Sequence, residues 1–198
     1  MGETEDAPKP FDRVAWPVRT ARLLLRPVTP DDFPRLYEIR AIPEVTHWLT
    51  GRPTSYDDYV ARYGTPERLD STLVVEAGDT IVGDLFLALV TPYAQVEVRD
   101  RAVHSEAAVG WLLDPAFTGR GYATEAVAEV VRICFEDLGV RRVVASAFAD
   151  NTASLRVMER VGLRIEGRTR GGSLHRELGW VDGVDAALLA QEWVAKPR

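Results

Sequence analysis

The chain has 198 residues, 46% of them apolar and 27% charged, with a net charge of −6. That composition suits one globular domain with a real core, and the negative balance argues against a general nucleic-acid binder, whose affinity rests on phosphate neutralisation. No apolar run approaches the roughly 20 residues that span a bilayer, and a single cysteine, Cys134, fits a reducing compartment, so a cytoplasmic protein without nucleic-acid or membrane partners is expected.

Residues 1–18 are polar and aperiodic and read as a mobile or draped arm, leaving 19–198 as a single domain. "ARLLLRPV" (21–28) reads as a strand. "TPDDFPRLYEIRA" (29–41) opens a helix, with Thr29 at the cap, Pro30 in the first turn and Asp31 and Asp32 on the positive end of the dipole. A second helix is expected over 54–64. "STLVVEA" (71–77) and "TIVGDLFLALV" (80–90) form a hairpin across Gly78-Asp79. Residues 91–103 make a long polar excursion, and 105–114 resume as a strand. A helix over 121–138 closes at Gly139, a strand follows at 140–149, and a helix over 152–161 ends at Gly162. Two last strands are expected near 163–169 and 184–194. Hairpins mixed with crossover units predict an α+β fold on a mixed sheet.

The stretch "FTGRGYATEA" (117–126) packs two glycines and an arginine before a helix start, an arrangement that lets backbone amides approach an anion. It is not a P-loop, because no lysine lies between residues 10 and 195. It is an incomplete dinucleotide fingerprint, because Thr124 stands where the third glycine belongs. Cys134 sits in an apolar helical pattern and reads as a core residue. Trp111, Trp180 and Trp193 read as core and hairpin packing. No His/Cys/Asp/Glu spacing suits a metal, so none is expected.

Several segments in order resemble the GNAT superfamily of acyl-CoA-dependent N-acyltransferases, and among them the Rim-type enzymes and their aminoglycoside-modifying relatives. They are "TARLLLRPVTPDD", "VGWLLDPAFTGRGYATEA", "FADNTASLRVMERVGL", "EGRTR" and "GWVDGVDAALLAQEW", which together cover roughly residues 20–194. The resemblance implies a mixed, mostly antiparallel sheet of about seven strands flanked by about four helices. It also implies acetyl-CoA as acyl donor, an amine acceptor (a protein N-terminus or a small molecule), and a homodimer.

Carried onto this chain, the resemblance gives Thr118, Gly119, Arg120, Gly121, Tyr122, Ala123 and Thr124 as the pyrophosphate turn. The main chain of Leu112 and Leu113 would lie along the pantetheine, Asn151 would bond it, and Ser154 would donate to the leaving thiolate. Thr118 departs from the usual Gln or Arg, and Ala186 stands near the place of a common tyrosine. For the residues alone, Asn151 and Ser154 equally suit helix capping. Alternation along the strand puts His104 and Glu106 on one face, Glu106 as a candidate base and His104 as a candidate acceptor contact. His175, in "LHREL", is a second candidate acceptor contact. The competing reading is an acyl-CoA-binding sensor or interaction module without turnover.

Overall fold

The computed structural model describes residues 9–193. One eight-stranded sheet runs in the order β1-β2-β3-β4-β5-β6-β8-β7. Its strands are β1 (Val18–Arg19), β2 (Leu24–Pro27), β3 (Thr72–Ala77), β4 (Thr80–Val90), β5 (Glu106–Leu113), β6 (Arg142–Phe148), β7 (Arg164–His175) and β8 (Gly179–Leu189). Every neighbouring pair is antiparallel except β5 and β6, which run parallel. The helices are α1 (Phe33–Ala41), α2 (Pro43–Trp48), α3 (Tyr56–Tyr63), α4 (Pro66–Leu69), α5 (Tyr122–Arg132, continued by a π-helical turn Ile133–Asp137) and α6 (Thr152–Val161). The α+β class and the mixed, mostly antiparallel sheet agree with the sequence expectation, and the eighth strand is the two-residue edge β1.

The two faces of the sheet are covered by different parts of the chain. Val127, Val130 and Val131 of α5 and Val157 and Met158 of α6 pack on Ala107, Val109, Val143, Ala145, Ala186 and Leu188 to form the main core. Helices α1, α2 and α3 cover the other face of β3, β4 and the end of β5: Phe33 and Leu36 of α1 pack with Tyr59 and Val74, and Ile39 packs with Val45 and Leu112. Burying an apolar stripe of each helix stabilises these layers at about 25 cal/mol per Å² of surface removed from water. Cys134 is fully buried in the main core, where burial pushes its thiol up to about 12, so it is a packing residue with little thiolate at neutral pH.

Three local features depart from the sequence pattern. Residues 9–18 dock on the domain, Phe11 and Val14 entering the main core, while residues 1–8 of the expected arm lie outside the described residues. The closing hairpin is longer and earlier than expected: residues 170–175 and 179–183 are strand, although their glycines and charges read as loop. Two register shifts in β7, between Ile165 and Gly167 and between Thr169 and Ser173, absorb the extra residues, and Asp182 accepts the stranded Gly171 N–H. Trp180 lies on this hairpin 70% exposed, in contrast to the packed Trp111 and Trp193.

Between α1 and β4 lies a buried ion pair in which Arg40 donates to both oxygens of Asp84 at 2.8 Å, its guanidinium 4.5 Å from the Tyr63 ring centroid. Next to it in β4, Gly83 lets β5 approach: a Cβ there would stand 2.2 Å from the Leu112 carbonyl oxygen. A buried charge left without its partner is costly, whereas an apolar pair of similar volume often is not. Asp84→Ala is therefore expected to remove about 3–5 kcal/mol of stability, and the double replacement Arg40→Met, Asp84→Leu to restore most of it, both read by urea unfolding.

Candidate functional site

β5 and β6 are paired only at Glu106–Arg142, Ala107–Val143 and Ala108–Val144. Beyond that point β5 continues to Leu113 and β6 to Phe148 without pairing to each other. The two facing edges therefore carry unpaired peptide groups, which in a folded protein need a partner. The result is a wedge with its closed end at Glu106 and its mouth at the C-terminal ends of both strands.

Two turns stand at that mouth. The first, residues 114–121, leads from β5 into α5. Asp114 caps its opening by accepting from Ala116 N at 2.8 Å, and its other oxygen accepts from Arg35 of α1 at 2.5 Å. Gly119 and Gly121 then take φ of +75° and +79°, which a side chain would resist. Gly121 is the N-cap of α5 and offers no side-chain cap, so the first amides of the helix keep their donors for a guest at the positive end of the dipole. Thr118, Gly119 and Arg120 are exposed, and Tyr122, Ala123 and Thr124 are half-buried. Tyr122 packs against the main core, and the Arg120 guanidinium lies 5.2 Å from the Phe117 ring centroid.

The second turn joins β6 to α6. Asn151 is the N-cap and accepts from Ser154 N at 3.1 Å. Among the described residues the Ser154 hydroxyl makes no hydrogen bond: the Asn151 side chain caps the helix on the Ser154 amide and leaves the Ser154 hydroxyl free. The topology thus brings residues 118–124, the Leu112 and Leu113 main chain, Asn151 and Ser154 to one mouth.

Glu106 and His104 are not there. Strand β5 begins at Glu106, and His104 precedes it in a turn at φ +51°, so the expected alternation onto one strand face does not hold. Both sit at the closed end, roughly 20 Å along β5 from the glycine turn at about 3.3 Å per residue. Glu106 is buried, with Oε1 accepting from Arg141 at 3.3 Å and Oε2 from Arg142 at 3.0 Å. Such a carboxylate ties the closed end of the wedge together.

His175 is also committed. Its Nε2 donates to His47 O at 2.6 Å and its Nδ1 accepts from Glu177 N and Leu178 N at 3.2 and 3.1 Å, an arrangement of the neutral ring. Arg176 beside it donates to Thr46 O and, at 2.6 Å, to Leu49 O. The tip of the β7–β8 hairpin is thereby clasped to the end of α2. There Trp48, Phe148 and His175 gather, with ring centroids 5.2–6.3 Å apart.

The sequence pattern missed the group that fastens the glycine turn. Arg22, in the β1–β2 turn, donates to Arg120 O at 2.8 Å and to Glu125 Oε2 at 2.7 Å, and lies 4.9 Å from the Tyr122 ring centroid. Thr20 donates to Glu125 at 2.6 Å. Burial draws the Glu125 carboxyl up, and the hydrogen bonds from Thr20 and Arg22 outweigh it and hold it below the usual carboxylate range. No pattern links positions 22 and 120, 98 residues apart.

Comparison with known proteins gives one family. The model of the Acetyltransferase (GNAT) domain matches residues 22–164. The uncharacterized N-acetyltransferase YnaD of Bacillus subtilis is 31% identical over 43% of this chain and 49% of its own. The FsC-acetyl coenzyme A-N(2)-transacetylase of Aspergillus fumigatus is 31% identical over 74% of this chain and 64% of its own. The chain thus spans about half the length of the first relative and under two thirds of the second. Among solved structures, Mycobacterium smegmatis RimJ in complex with CoA-disulfide superposes with a TM-score of 0.69 at 24% identity, over 86% of this chain and 83% of that one, a likeness of fold.

Because the folded-state pKa of Glu125 is depressed, the Arg22 clamp contributes its stability above the ordinary glutamate value of about 4.3 and loses it as pH falls further. Glu125→Gln should cost about 1 kcal/mol at pH 7 and little at pH 3. Urea unfolding at the two pH values measures this, and hydrogen exchange should quicken at the first hydrogen-bonded amide of α5, that of residue 125.

Proposed function

The chain belongs to the GNAT family of acetyltransferases, and on that premise we propose that it moves the acetyl group of acetyl-CoA to a primary amine by direct attack of the amine on the thioester. The observation that carries this reading is the wedge itself, which joins an unpaired strand edge to an uncapped helix start at one mouth. The amides of residues 119–123, with Arg120 beside them, suit a pyrophosphate. The open edge of β5 at Leu112 and Leu113 suits an extended pantetheine arm, bonded as an added strand would be. In this reading Asn151, which follows β6 at the mouth, bonds the arm's amides.

The chemistry then needs one proton removed and one delivered. The amine nitrogen bonds to the carbonyl carbon, the carbon–sulfur bond breaks, and the thiolate takes a proton from the free Ser154 hydroxyl, which is reprotonated from water. Glu106 and His175 are tied up in internal bonds, so neither is free to act as a base. An α-amine of pKa about 7.8 loses its proton at pH 7 for roughly 1 kcal/mol, whereas an alkylamine near 10.4 needs roughly 4.6. This favours an acceptor with a low amine pKa, as an N-terminus has, delivering its proton through water. Protein N-termini, as the Rim-type likeness implies, fit that demand, and the Aspergillus relative is named for acetyl transfer to an N(2) nitrogen.

Ser154→Ala is expected to lower kcat by about a hundredfold with the KM for acetyl-CoA little changed, measured by thiol release across a panel of amines. Gly121→Asp, which puts a side chain at φ +79° and a charge beside the phosphates, should abolish acetyl-CoA binding in a calorimetric titration. Full turnover in the first variant removes Ser154 from the mechanism, and undiminished binding in the second removes the turn.

A further inference from the structure

We propose that Asp185, oriented by Ser146, binds the ammonium group of the acceptor on the face of the sheet away from α5 and α6; this rests on the acyl-transfer reading above and adds to it the charge of the acceptor and the place where it docks. The placement follows from strand alternation. Val143 and Ala145 of β6 and Ala186 and Leu188 of β8 point into the core under α5 and α6, so Ser146 and Asp185 point the other way. They are directly paired across the two strands, and the Ser146 hydroxyl donates to Asp185 Oδ1 at 2.6 Å. Both residues are exposed.

Their position along β6 matters as much as their face. The last pair joining β5 to β6 is Ala108–Val144, so Ser146 is the next residue on that face after the strands part, at the lip of the wedge. Across the gap, β5 presents Ala108 and Gly110 on the face of Leu112, which packs under α1 and α2. These small residues leave room over the unpaired edges. Phe148, next along β6 on the same face, joins Trp48 and His175 in an aromatic wall.

Asp185 also differs from the carboxylates around it. Glu106 is held by Arg141 and Arg142, Glu166 by Arg142, Asp182 by Arg168 and Glu177 by His47. Among the described residues Asp185 has no cationic partner: a hydroxyl satisfies one oxygen and leaves Oδ2 open. An oriented carboxylate without a counter-ion, beside a gap floored by small side chains, suits a charge-assisted bond to an ammonium group. The aromatic wall would take the carbon chain next to it. An amine docked there would approach the wedge from the side opposite the helix that carries the glycine turn.

The test compares wild type, Asp185→Asn and Ser146→Ala in thiol-release kinetics with an alanine-starting peptide, a serine-starting peptide, spermidine and an aminoglycoside. Asp185→Asn keeps the hydrogen bond from Ser146 and removes only the charge. For the accepted amine it should raise KM at least tenfold, flatten the salt dependence of that KM, and leave the KM for acetyl-CoA unchanged. Ser146→Ala should raise the acceptor KM about threefold. An unchanged acceptor KM in Asp185→Asn overturns the inference alone, as does an equal loss for acetyl-CoA with a lowered melting temperature. A wild-type protein that releases no thiol with any of these amines overturns the acyl-transfer reading and this inference with it.

Discussion

The structure depends on one break in pairing. In a sheet that is otherwise antiparallel, β5 and β6 run parallel and hold together for three residue pairs before they separate. Parallel strands need a crossover, here the turn, α5 and the link to β6, which places a helix start at the end of β5. The same step from β6 into α6 places a second helix start beside it. Two helix N-termini and two bare strand edges therefore converge at one mouth because of connectivity, without any residue having to be brought there separately. The Glu106 bridge to Arg141 and Arg142 secures the closed end of the wedge, where two adjacent guanidiniums would otherwise repel.

A mouth made of turns and helix ends has little packing of its own, and it is held from outside by residues 20–40. Arg22 reaches the Arg120 carbonyl and Glu125, Arg35 reaches Asp114, and Arg40 reaches Asp84 beneath. Each guanidinium spends its planar donors on main-chain or carboxylate acceptors that a lysine would match less well. These contacts preorganise the amides of the glycine turn, so that a guest would not have to order them on arrival. The opposite wall is built in the same way: the hairpin tip spends His175 and Arg176 on the carbonyls at the end of α2, which fixes Trp48 against Phe148 and His175.

Much of the fold could be read from the sequence. The hydrophobic period, the cap at Asn151 and the stops at Gly139 and Gly162 set the helices, and the glycines of 117–126 marked the turn into α5. The short α2 and the long hairpin could not be read this way, since "PEVTHW" is too brief for a period and "RTRGGSLHRELGWVDG" looks like a loop. Its strand state comes from pairing with β8 and from bulges that absorb the glycines, which are properties of the partner strand. The pairing of His104 with Glu106 failed for a similar reason: alternation is informative only inside a strand, and the strand begins one residue after Ser105.

The sequence by itself determined most of the secondary elements and the glycine turn before α5, because helix caps, strand periods and glycine turns are local and each is written within a few residues. Tertiary structure alone decided which candidates share the mouth. It set Ser154 and Asn151 at the same end of the parallel strands as the turn, sent Glu106 and His104 to the closed end, and buried His175 in the wall. It also brought Arg22 to the turn and left Asp185 open at the lip. The physical reason is that a side chain's role depends on which hydrogen-bond and charge partners remain unspent after folding. Those partners come from segments tens to more than a hundred residues away, beyond the reach of any local pattern.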